Sequence, residues 1–125
     1  MASAAEGFIV FAHGSRVESA NEAVRAVAAE MAHAGHFDHV EAAFLELGVP
    51  DLAGAVGRLA ERGVNRIVIL PYFLTLGLHM ERDLPLLAQD AAARHPGIEI
   101  AVAKPLDGHP ALAAILLDRA LENSR

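Results

Sequence analysis

Residues 65–74, NRIVILPYFL, form the most apolar short segment of the chain, and polar residues do not alternate with apolar ones along it. A strand with one wet face alternates. A short apolar run rich in β-branched residues is expected to be buried on both faces, as in a parallel sheet covered by helices. If this run is a strand of such a sheet, the segments on either side should alternate strand and helix.

They do. Upstream, Gly7–Ala12 reads as a first strand, followed by a helix with Ser19 as cap and Glu22 three residues on, a capping-box pattern. Val24, Val27, Ala28 and Met31 form its apolar stripe, and Gly35 marks a stop. Val40–Leu45 is the second strand. Pro50 sits where a first helical turn tolerates proline, Leu52, Val56, Leu59 and Ala60 give the next stripe, and Gly63 ends it. Gly54 and Gly57 weaken that helix and suggest close packing on the sheet. Downstream, a loop through Gly77 and His79 leads to a helix capped by Asp83, with Pro85 in its first turn and Leu84, Leu87, Ala88 and Ala91 facing inward. Ile98–Ala103 is the fourth strand, and a last helix begins near Pro110 with Leu112, Ile115 and Leu116. The pattern predicts one α/β domain over residues 1–125, a four-stranded parallel sheet between helical layers, with right-handed crossovers.

Composition narrows the function. The 125 residues are 54% apolar and carry a formal charge of −6 from ten basic and sixteen acidic residues. No basic block is interleaved with aromatics, which argues against nucleic-acid binding. No apolar run approaches the roughly 18 residues of a membrane span. MASAAEG at the start lacks a basic segment followed by an apolar one, so no secretory signal is expected. There is no cysteine, which excludes disulfides and thiolate-held metal, and a cytoplasmic setting is the expectation.

Ligands of open α/β sheets bind beyond the carboxyl ends of the strands. The first strand ends at His13, the second at Glu46, and the third runs out to His79. These positions are 33 residues apart in each step, about the length of one strand-helix-strand unit. Equivalent positions of successive units fall on one rim. Two imidazoles and a carboxylate there suit a borderline divalent ion such as Co²⁺, Ni²⁺, Fe²⁺ or Zn²⁺, and a neutral imidazole can also accept a proton near pH 7. Taken singly, a histidine after a strand is more often a cap, and a lone Glu46 a solvated charge; their shared rim favours the functional reading. The remaining candidates are weaker. His33, His36 and His39 are interrupted by Gly35 and read as a solvated helix end. His95 and His109 read as structural, Ser15 as a turn cap, Asp83 as a helix cap and Arg82 as a solvated charge. No nucleophile elbow, dinucleotide fingerprint or Walker loop is present.

VFAHGSR at the first strand end, AFLELGVPDL after the second, VILPYFLTLGLHMERDLP after the third and KPLDGHPAL after the fourth resemble the short form of the sirohydrochlorin cobaltochelatases, the CbiX family. The likeness runs over nearly the whole chain, and P-x-F-L-x-x-G-x-H-x-x-x-D-x-P is its most specific part. The resemblance implies a three-layer α/β/α chelatase-like fold with sheet order 2-1-3-4. It implies ATP-independent insertion of a divalent metal, Co²⁺ first and Ni²⁺ or Fe²⁺ as rivals, into sirohydrochlorin in cobalamin- or sirohaem-type synthesis. The metal would be a substrate, with no cofactor permanently bound. Larger relatives carry two such domains, so a homodimer is implied. His13 matches the metal-binding proton acceptor, His79 the second metal ligand, and Glu46 an acidic position found in related chelatases. Leu74, Thr75, Leu76, Gly77 and Leu78 match the loop lying along the macrocycle. Arg16 and Lys104 are the basic residues near the rim for the substrate's carboxylates. A non-catalytic metal or tetrapyrrole carrier is the alternative reading.

Overall fold

Four strands and four helices alternate without exception: β1 (Glu6–Ala12), α1 (Glu18–Gly35), β2 (Val40–Phe44), α2 (Leu52–Glu61), β3 (Arg66–Pro71), α3 (Leu78–Arg94), β4 (Glu99–Val102) and α4 (Ala111–Glu122). They are seen in a computed structural model that describes residues 5–124. The strands form one parallel sheet in the order β2-β1-β3-β4. In its register Phe11 lies between Ala43 and Pro71. The expected absence of a secretory signal falls largely on residues 1–4, outside the described residues. Among the described residues no helix is long and apolar enough to cross a membrane.

Side-chain alternation along β1 divides the core. Ile9 and Phe11 point to one face and pack with Leu52, Val56 and Leu59 of α2 and Leu84 and Ala88 of α3. Val10 and Ala12 point to the other and pack with Val24 and Ala28 of α1, together with Phe44. The chain steps one way from β1 to β2 and the other way from β2 through β3 to β4. Right-handed crossovers then require α1 on one face and α2 and α3 on the opposite face, as observed. Each fully buried Phe, Leu or Ile in these layers contributes about 1.5–3 kcal/mol of transfer free energy.

Several local expectations are corrected. The capping box at Ser19 does not form. α1 starts at Glu18 with Val17 at the cap and no side-chain cap bond, because Ser15 turns the chain earlier, its Oγ accepting from the Val17 N–H at 3.0 Å. α1 does end at Gly35, as expected, and the left-handed residue that closes it is His36, at φ 54°. Gly35 is needed for room, since a Cβ there would lie 2.3 Å from the ring of Phe37, which folds back to stack on Phe8. Gly57 has open space where a Cβ would go, so it serves no close packing. Pro50 precedes α2 rather than entering it, and Asp51 caps that helix by accepting from the Gly54 N–H at 2.8 Å. β3 is not equally buried on both faces: Ile67, Ile69 and Pro71 are buried, whereas Val68 and Leu70 are half-buried.

Two findings bear on function. α3 starts at Leu78, with Gly77 at its cap, so Asp83 is not the cap and Pro85 lies in the helix interior. The missing Pro85 N–H costs one helical bond, yet Leu84, fully buried, anchors that turn to the core. The outcome is that His79 sits in a helix rather than a loop. The second concerns α4. The helix carries Leu112, Ile115 and Leu116, yet no residue of α4 is buried and Leu116 is 70% exposed. α4 packs extensively against none of the other elements.

Candidate functional site

The pairing of β1 with β2 continues past both strands. Leu45 N–H donates to the Ala12 carbonyl at 2.9 Å, and Glu46 N–H to the His13 carbonyl at 3.1 Å. The two backbones are therefore zipped together up to the side chains of His13 and Glu46. Gly14 makes this possible: it has φ +96°, and a Cβ there would stand 1.7 Å from the Glu46 carbonyl oxygen. With the backbones so close, His13 Nε2 and Glu46 Oε1 meet at 3.0 Å. A carboxylate only accepts, so Nε2 donates in this bond, and in the neutral tautomer that makes it Nδ1 keeps a free lone pair. The side chains are 60% and 57% exposed, where an ion pair is worth about 0–1 kcal/mol. Such a pair orients His13 far more than it stabilises the fold.

His79 reaches the same place from the other side. Gly77 ends the β3–α3 loop and opens α3, which puts His79 in its first turn. His13, Phe73, Leu78, His79, Met80 and Asp83 line one open groove of about 370 Å³. The groove lies outside the carboxyl ends of β1 and β3, where the chain's direction of travel across the sheet reverses, the usual ligand position in this topology. Arg82 approaches His79 Nδ1 at 3.5 Å and holds Asp83 at 3.3 Å. Among the described residues no three His, Asp or Glu side chains are gathered as a ready metal cage. His13 and Glu46 stand paired, and His13 and His79 line the same groove.

The loop after β3 divides its apolar residues between core and water. Leu76 is partly buried and packs against the core. Leu74 and Leu78 do project, Leu78 being 87% exposed in the first turn of α3, and Thr75 and Gly77 are exposed beside them. Leu106 and Asp107 tether this loop by donating backbone N–H groups to the carbonyls of Phe73 (2.9 Å) and Leu74 (2.7 Å). Arg16 is exposed on the β1–α1 loop but does not line the groove, and Lys104 is exposed after β4. Two other histidines take structural posts. His109 Nδ1 accepts from the Ala111 N–H at 3.0 Å at the start of α4, and His95 closes α3.

One residue next to the site escaped sequence reasoning. Asn21 is 1% exposed and hydrogen-bonds both rim loops. Its signal was available, as a polar residue three positions before Val24 and seven before Ala28, on the apolar stripe of α1. Nearby, the Arg25 guanidinium beside Glu18 holds that carboxyl below its ordinary value, with the Asn21 amide adding to the effect.

Residues 7–123 match the family described as CbiX. A sirohydrochlorin cobaltochelatase of Methanopyrus kandleri is 31% identical over 91% of this chain and 94% of its own length. A chloroplastic sirohydrochlorin ferrochelatase of Arabidopsis thaliana is 32% identical over 92% of this chain, which spans only 51% of that protein. Among solved structures, the sirohydrochlorin chelatase SirB of Bacillus subtilis subspecies spizizenii, in complex with cobalt, superposes with a TM-score of 0.86 at 25% identity. That match covers 96% of this chain and 51% of SirB.

Proposed function

This chain belongs to the CbiX family, and from that premise we propose that it is a cytoplasmic, ATP-independent chelatase inserting Co²⁺, with Ni²⁺ or Fe²⁺ as alternatives, into sirohydrochlorin. The observation that carries the reading is the His13–Glu46 pair at 3.0 Å, with His13 on the wall of a groove that His79 also lines.

The pair suits a metal in transit. Donors 3.0 Å apart, each about 2.1 Å from an ion, subtend about 90° at it, the angle between neighbouring ligands of an octahedral ion. An arriving ion takes the place of the proton between Nε2 and Oε1: that proton passes to solvent, Nδ1 takes one up, and the ring stays neutral as its Nδ1–H tautomer with the Nε2 lone pair on the ion. Two protein ligands hold it, and the other positions stay with water or pass to the macrocycle. Insertion exchanges one divalent ion for two pyrrole N–H protons. As the ion leaves, the Nε2 lone pair of His13 accepts one proton and Glu46 takes up the restored hydrogen bond. The second proton goes to His79 across the groove. The exposed side chains of Leu74 and Leu78 offer apolar surface to the flat face of the ring. Arg16 and Lys104 serve its carboxylates at the edge.

The test mixes purified protein, sirohydrochlorin and Co²⁺ and follows the visible spectrum. Insertion should run well above the spontaneous rate, and parallel runs with Ni²⁺ and Fe²⁺ rank the metals. A rate no faster than the protein-free control would reject the enzyme. A stoichiometric, slowly dissociating complex without turnover would mark a carrier instead.

We further propose that the working form is a homodimer joined through α4. Ile115, Leu116, Leu117 and Leu121 are all more than half exposed, an apolar load that a helix does not leave in water without a partner. A second copy is the fitting occupant, because SirB and the plant relative have about twice this chain's length and thus room for two such units. Sedimentation should return twice the 13.2 kDa chain mass. Leu116→Glu should weaken the dimer by about 2 kcal/mol or more, as for a central interface residue. A wild-type monomer at working concentration would remove the proposal.

A further inference from the structure

Asn21 is the one buried polar side chain among the described residues, and it belongs to neither the groove nor the strand ladder. From α1 it reaches two loops at once. Its Oδ1 accepts from the Ser15 N–H at 2.9 Å, while its Nδ2 donates to the Ser15 carbonyl at 2.9 Å and the Leu47 carbonyl at 3.0 Å. A further bond runs from Nδ2 to Glu18 Oε2 at 3.2 Å. Ser15 lies two residues after His13, and Leu47 directly follows Glu46. We propose that Asn21 is a positioning residue for metal insertion, gripping the β1–α1 and β2–α2 loops so that His13 and Glu46 meet.

The loop after Glu46 does not hold that shape unaided. Leu47 adopts φ +57° without being glycine, a conformation that persists only when its surroundings enforce it. Its side chain is half exposed, so the bond from Asn21 to its carbonyl is the inward anchor. Gly48 is packed against the same amide: a Cβ there would lie 3.2 Å from Asn21 Nδ2 and 2.8 Å from the Phe44 ring. An amide is the side chain for the task, because it alone among small groups offers an acceptor to one backbone N–H and donors to two carbonyls. Arg25, one helical turn on, adds a second strut by donating to the Val49 carbonyl at 2.9 Å. Asn21 is buried, where a hydrogen-bonded amide is strong and a missing partner is costly, whereas the His13–Glu46 bond is exposed and easily lost. The interior bond network therefore sets the geometry of the surface pair.

This inference rests on the chelatase reading, and its test keeps the two apart. The ring ¹⁵N spectrum of His13 is recorded for metal-free, full-length protein at a fixed pH at which the ring is neutral. In the wild type the proton should reside on Nε2. In Asn21→Ala the two ring nitrogens should move toward averaged tautomers, as they also should in Glu46→Ala, with the protein still folded. In the same variant kcat for Co²⁺ insertion should fall about 10–100-fold, the usual loss when a partner that orients a metal ligand is removed. Asn21→Ala combined with Glu46→Ala should be no worse than Glu46→Ala alone. If Asn21→Ala fails to fold, Asn21→Asp replaces it, keeping the acceptor for Ser15 while removing both donors. A folded variant with the wild-type His13 ring spectrum would overturn the proposal, as would full additivity with Glu46→Ala. A shifted ring spectrum in a protein whose wild type inserts no metal would refute the chelatase reading and leave the positioning role standing.

Discussion

Replacing His13 by alanine is expected to lower kcat for metal insertion by about 10²–10⁴-fold, the range for loss of a positioned proton acceptor. The melting temperature should hardly move. The imidazole is 60% exposed, packs into neither core layer, and has one exposed hydrogen bond worth about 0–1 kcal/mol. Its removal takes away the ligand and the base together and leaves Glu46 as a lone, weaker oxygen donor. His79→Ala should cost less, because a second proton can leave to water from an open groove. Initial rates by visible absorbance, beside a thermal melt of each variant, decide the matter. A His13→Ala protein that inserts Co²⁺ at the wild-type rate would take the proposed mechanism away.

Gly14→Ala should damage both stability and activity. The added Cβ would meet the Glu46 carbonyl oxygen at 1.7 Å, and the obstacle is backbone, which cannot swing aside as a flexible side chain would. At φ +96° the alanine is also strained in itself, a cost of about 1–3 kcal/mol. The overlap is relieved only by parting the β1–α1 loop from the β2–α2 loop. That breaks the bond from Glu46 N–H to the His13 carbonyl and separates the two side chains. Activity should fall at least as far as for loss of an orienting partner, about 10–100-fold. Gly63→Ala is the control. Gly63 has φ +82° with open space around it, so an alanine there suffers the backbone strain alone, far from the rim. Chemical denaturation with parallel rate assays compares the two. Equal stability losses, with full activity in both, would show that the close approach at Gly14 does not shape the site.

Much of the architecture was legible because it is periodic. The unbroken apolar run at β3 and the stripes of Val24 and Ala28, of Leu52, Val56 and Leu59, and of Leu84, Ala88 and Ala91 each report burial by local spacing. The rim positions of His13, Glu46 and His79 followed from the length of the repeating unit. The start of α3 was misread because a proline is most at home in a first turn, and Pro85 drew the expected cap to Asp83. Burial of Leu84 outweighed that preference and carried the helix back to Leu78. α4 was legible as a helix, but not in what its apolar face meets. Its stripe is genuine, but a stripe records that a face must be covered and not which chain covers it.

What the amino-acid order determined by itself was the alternation of strand and helix, the parallel sheet and the three rim residues, because each depends on spacing within a single unit. Tertiary structure alone decided that Nε2 of His13 meets Glu46 at 3.0 Å, that Leu76 turns inward while Leu78 projects, and that Asn21 ties Ser15 to Leu47. The physical reason is that these contacts join residues from different units, 33 positions apart for His13 and Glu46 and 26 for Asn21 and Leu47. Hydrogen bonds between loops and the close approach at Gly14 set them, and neither leaves a period in the sequence.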